Sequence, residues 1–99
     1  MSSTTSFIAQ HGKVRIAVHA FGTGPRIVMM PSLGRGAADF FDIAQRLAAA
    51  GYRALCPEPR GIGGSSGPLK GITLHDFAAD IAAVIRHDGG EPTVVAGHA

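Results

Sequence analysis

The sequence predicts an α/β fold in which parallel strands alternate with helices behind an N-terminal β-hairpin. Two observations carry this. Short apolar runs alternate with helix-periodic stretches in the order strand, helix, strand, helix, strand. The connections between them are short and rich in Gly and Pro, as right-handed crossovers in one sheet require. The chain has 99 residues, of which 45% are hydrophobic and 16% charged, so it is too apolar for disorder and too short for a second core.

Taken in order, Phe7 to Gln10 and Lys13 to Phe21 read as two strands around His11-Gly12. The second alternates Val14, Ile16 and Val18 with Arg15, Ala17 and His19. Gly22 to Pro25 breaks the chain, and Ile27-Val28-Met29-Met30 suits a strand buried on both faces until Pro31 ends it. From Ala37 to Ala50, Phe40, Ile43, Ala44 and Leu47 form the apolar stripe of a helix that Gly51 stops. Ala54-Leu55-Cys56 is again a strand, and Pro57 and Pro59 forbid its continuation. After a glycine-rich loop, Thr73 and Asp76 have the spacing of a variant capping box. Leu74, Phe77, Ile81, Val84 and Ile85 mark the buried face of the second helix, which His87 to Gly90 closes. Thr93 to Ala96 is a last β-branched strand, running into Gly97-His98-Ala99.

Two long helices cannot cover both faces of such a sheet, and its last strand is expected to be an open apolar edge, so the domain is expected to be incomplete. Nine Lys and Arg against seven Asp and Glu give a net charge of +2, with the basic residues scattered rather than clustered. No nucleic-acid partner is therefore expected. The lone Cys56 has no partner for a disulfide or a short-spaced zinc site, so no metal is expected. There is neither a signal-like N-terminus nor a membrane-length apolar stretch, so the expectation is a cytoplasmic protein without a membrane partner.

A buried strand ending in Gly-x-Nu, where Nu is a nucleophile, is the first half of the nucleophile elbow, and Gly97-His98-Ala99 has its small leading residue. Upstream stand Arg26 to Leu33, then Ala50 to Leu55, then Pro57-Glu58-Pro59-Arg60-Gly61-Ile62-Gly63-Gly64-Ser65-Ser66. In this order and on these elements the stretches resemble the α/β-hydrolase fold superfamily over essentially the whole chain: third strand and oxyanion loop, start of the fourth strand, the Pro-Asp-x-Arg-Gly-x-Gly-x-Ser segment, and elbow. The resemblance implies that residues 1–99 are the N-terminal part of a single α/β-hydrolase domain.

It further implies a nucleophile activated by a His that an acid orients, with backbone N–H groups forming an oxyanion hole. Carried over by motif, Ala99 holds the nucleophile position and Leu33 supplies one oxyanion-hole N–H. Ser32, Gly34 and His98 are the candidate substrate-binding residues. The acid and the catalytic His follow the elbow in this superfamily, so His11, His19, His75, His87 and His98 match neither. The implied partners are the chain's own C-terminal half, as a continuation or a second chain, and a small-molecule substrate; no cofactor is implied. Hydrolysis of an ester or related small apolar compound is the expected activity. Alanine cannot attack a substrate, so the chain as written is inactive or non-hydrolytic, whether Ala99 replaces a nucleophile or is natural in a branch that abandoned covalent catalysis. The alternative is a non-catalytic protein that binds a small ligand on the same scaffold. Pro31-Ser32 also departs from the His-Gly common in the oxyanion loop.

Other residues read as structural. Cys56 is expected to be a small buried hydrophobe. Glu58 and Arg60 are expected to brace the loop, and Asp76 and Asp80 to be cap and surface or second-helix contacts. The run Gly61 to Gly67 lacks the direct strand-to-helix turn of a dinucleotide site.

Overall fold

The computed structural model describes residues 4–32 and 34–98. Strands β1 (Thr4–His11) and β2 (Val14–Phe21) form an antiparallel hairpin in which Thr4 faces Phe21 and His11 faces Val14. Alternation decides β2: Val14, Ile16, Val18 and Ala20 are buried while Arg15 is exposed. The ladder of β1 begins before its apolar residues, at Thr4, and His11 closes it instead of lying in the turn, which is Gly12-Lys13.

Strands β3 (Arg26–Met30), β4 (Arg53–Pro57) and β5 (Val94–Gly97) are parallel, and the sheet order is β1-β2-β4-β3-β5. Pro57 is the last residue of β4, opposite Val18 of β2. The pairing of β4 with β3 stops at Leu55, so the missing proline N–H breaks no bond on that side.

Helix α1 (Phe41–Ala49) covers one face of the sheet and α2 (Leu74–His87) the other. Neighbouring strand residues therefore divide between two cores. Val28 and Leu55 join Ile16, Val18 and Val84 beneath α2, while Met29 and Cys56 join Phe21, Ala44 and Ala54 beneath α1. Two members of the expected apolar stripes are corrected. Residues Ala37–Phe40 form a 3-10 turn with three residues per turn, so the buried face of α1 is Phe40, Phe41, Ala44, Leu47 and Ala48, and Ile43 is 50% exposed. Leu74 is 84% exposed because it is the first residue of α2, beyond the edge of the sheet core. The capping box forms as the spacing requires: Thr73 Oγ1 accepts from the Asp76 N–H and Asp76 accepts from the Thr73 N–H.

Asp80 is no surface residue. It is 3% exposed, and its carboxylate takes two bonds from Arg60, at 2.8 and 3.1 Å, and lies 2.6 Å from His11 Nε2. Arg60 also donates to the Pro68 carbonyl, so one carboxylate joins α2, the end of β1 and the loop after β4.

At the opposite end of the sheet, Arg26 and Arg53 face each other in register, and both donate to Asp88 at the C-terminus of α2. The Arg53 guanidinium holds the Asp88 carboxyl below its ordinary value of 3.8, with Arg26 adding to the effect. A depressed carboxyl stabilises the fold above its unfolded pKa, and that contribution is lost as pH falls through the depressed folded value. Asp88→Asn is expected to cost about 1–3 kcal/mol at neutral pH. The variant should also flatten the acid limb of stability against pH below 4, as urea denaturation at a series of pH values would record.

The sheet ends at β5, where Val94 and Val95 are 63% and 52% exposed. Beside it an open groove of about 440 Å³ runs along α2, lined by apolar side chains including Met30, Phe77, Ile81, Ile85 and Val95. Among the described residues no helix is long and apolar enough to cross a membrane.

Candidate functional site

From β3 the chain crosses to β4 on one side and returns to β5 on the other, so the strand order reverses at the C-terminal ends of β3 and β5. Such a switch point opens a crevice, because the two following loops leave in opposite directions. Ser32 lies just after β3 and His98 just after β5, and the register Met30 to Gly97 brings them together. Ser32 Oγ is 2.6 Å from His98 Nδ1, and the His98 N–H donates to the Met30 carbonyl at 3.2 Å. Two of the three predicted substrate-binding residues thus touch.

A cavity of about 210 Å³ opens beside them, lined by Ser32, His98, Asp39 and Phe40. On its other flank Ser32 borders a second hollow of about 250 Å³, whose remaining walls are Met30, Pro31, Pro59, Leu74 and Phe77. A few polar groups against apolar walls is the composition of a small-molecule site. The larger groove along α2 offers no polar side chain to orient a substrate.

Gly34, the third predicted residue, lines neither cavity. It adopts φ +79° in the turn that the Arg35 N–H closes onto the Ser32 carbonyl at 2.9 Å, so it shapes the loop. Leu33 and Ala99 lie outside the described residues.

The loop bearing Ser32 is anchored at its far end by Glu58, whose Oε1 accepts from the Ala37 N–H at 2.6 Å. Glu58 therefore braces this loop as well as its own. Gly63 packs against Glu58 at a φ of +54°, and a Cβ there would come within 2.8 Å of Oε2, so a side chain would strain the backbone and displace the carboxylate. The glycine-rich loop is held to β2: Ser65 Oγ receives the Ala17 N–H and donates to the Glu58 carbonyl, and Ser66 forms a two-way backbone bridge with Arg15.

Asp39, which lines the same cavity, carries no motif in the sequence that marks it. Two hydrogen bonds from Arg35 hold its carboxyl below the ordinary range, with a smaller pull from His98. Phe40 read as core, and it serves both the core under α1 and the cavity wall. No periodicity distinguishes a residue with two such faces.

The remaining candidates are structural. Cys56 is fully buried, and burial pushes its thiol up to about 12, too high for a nucleophile at neutral pH. His19 lies 3.4 Å from Glu58 and edge-on to Phe41; His87 stacks on Phe7. No cluster of three metal-binding side chains occurs among the described residues.

Comparison with known proteins bears on the family and the fold. Residues 25–99 match the family model of the alpha/beta hydrolase fold. Epoxide hydrolase A of Mycobacterium tuberculosis is 41% identical over 54 residues, 52% of this chain and 17% of that protein. Among solved structures, an epoxide hydrolase from an endophytic Streptomyces superposes with a TM-score of 0.89 at 29% identity, over 96% of this chain and 29% of that one. The thioesterase domain from the curacin biosynthetic pathway superposes with a TM-score of 0.86 at 24% identity, over 98% of this chain and 37% of that one, a likeness of fold alone. The chain thus spans 17% of the curated relative and about 30% of the epoxide hydrolase structures. With the sheet order, the paired helices and the family match in agreement, the chain belongs to the alpha/beta hydrolase fold family, of which it presents the N-terminal part.

Proposed function

We propose that the chain is the N-terminal part of a hydrolase whose cavity at the ends of β3 and β5 takes a small, largely apolar substrate: an ester or, by similarity to the epoxide hydrolases, an epoxide. The observation that supports this most is the meeting of Ser32 and His98 at the topological switch point, beside a cavity walled by Phe40 and a hollow walled by Met30, Pro59, Leu74 and Phe77. Apolar walls would hold the body of the substrate, and the hydroxyl and imidazole would orient its one polar group. Position 99 is the family's nucleophile position on this reading, and the methyl of Ala99 gives it nothing with which to attack. The family's acid and His would come from a C-terminal continuation or a second chain, which would pair with the open edge of β5 and cover the apolar groove along α2.

Alanine at position 99 also favours a second reading, a ligand-binding protein without turnover. Thermal denaturation of the full-length protein with a panel of small esters and epoxides tests both. Binding should stabilise the fold by about 2.7 kcal/mol at a hundredfold excess over Kd. Stabilisation with consumption of the compound supports the hydrolase, stabilisation without consumption supports the binder, and a melting temperature indifferent to every compound overturns both.

A further inference from the structure

The closest contact between reactive side chains at the site is the 2.6 Å approach of Ser32 Oγ to His98 Nδ1, within the reach that a hydroxyl nucleophile and its base require. The fold constrains it from both sides. The His98 backbone is fixed by its bond to the Met30 carbonyl, and the Ser32 carbonyl closes the turn to Arg35. Ser32 borders both cavities, so an acyl carbonyl could approach Oγ from the polar side while its chain lies against Leu74 and Phe77. Asp39 shares the polar cavity, but its carboxylate is engaged by two Arg35 bonds, so the imidazole and hydroxyl form a dyad rather than a triad.

We propose that Ser32 and His98 are a nucleophile and base pair, separate from position 99, that accepts the acyl group of small apolar esters. Ser32 Oγ attacks the acyl carbonyl and its proton passes to His98 Nδ1. The bond from Oγ to the acyl carbon forms, the bond from that carbon to the leaving oxygen breaks, and the Nδ1 proton goes to the departing alkoxide. Water then attacks the acyl-serine, giving its proton to Nδ1, and the proton returns to Oγ as the carboxylic acid leaves. No cofactor or oxidant is needed. This deepens the preceding reading, because it relies on the same cavity taking a small ester.

The test uses full-length protein and p-nitrophenyl acetate, quenched in acid after one turnover and digested for peptide mass analysis. The expected result is an acetyl group on Ser32, absent from Ser32→Ala, with p-nitrophenol release slowed at least about 10²-fold in His98→Gln. The mapping in the unaltered protein needs no variant, so a misfolded variant leaves the test intact. Acetylation only at lysines or elsewhere, or release unchanged in His98→Gln, overturns the dyad. A saturable melting-temperature rise with a non-hydrolysable ketone analogue, without acetyl on Ser32, overturns the dyad and leaves the cavity reading standing. Absence of both overturns the two together.

Discussion

Placing Ser at position 99 of the full-length protein is expected to raise hydrolysis of an activated ester by at least about 10²-fold, with the acyl adduct at position 99. Loss of the nucleophile in serine hydrolases costs on the order of 10⁶ in turnover, because the base and the oxyanion donors are left with nothing to activate or stabilise. If an acid and a His from the remainder of the protein still flank the site, Ala99→Ser restores the missing member of a set otherwise in place. Single-turnover kinetics with adduct mapping reads the gain directly and separates it from acylation at Ser32. No gain over the unaltered protein would mean that position 99 is not set in a working constellation.

The largest expected effect on stability comes from Asp80→Ala. Arg60 and Asp80 have side chains only 7% and 4% exposed, and the carboxylate also meets His11. Truncating one partner leaves a guanidinium charge buried without its counter-ion, a loss of about 3–5 kcal/mol, which is a large fraction of the stability of an ordinary domain. The denaturation midpoint should fall with little change in slope. Replacing both partners together, as Asp80→Leu with Arg60→Met, should cost less than Asp80→Ala alone, because no buried charge is stranded. Equal stability of Asp80→Ala and the unaltered protein would contradict the anchoring role.

The order of elements was legible because strands buried on both faces and helices with one apolar face leave opposite signatures, with Gly and Pro marking the joins. Ile43 and Leu74 misled because apolar spacing does not reveal a 3-10 turn or a residue at the rim of the sheet. Asp80 misled for a different reason: two carboxylates four apart on one helix look alike in sequence, and only the tertiary approach of Arg60 and His11 makes one of them a buried anchor. At the site, Ser32 and His98 could be singled out from the ends of their strands, but their contact depends on β5 lying beside β3, 66 residues apart in sequence. Asp39 and Phe40 had no separate signal, since a cavity wall and a core wall use the same residue types.

The account is tested most directly by a crystal structure of the full-length protein with a small ester analogue bound. It predicts the ligand at the C-terminal ends of β3 and β5, its polar atom against Ser32 and His98 and its apolar part against Phe40 or against Leu74 and Phe77. A ligand seated elsewhere, or this crevice filled by the protein's own side chains, would contradict it.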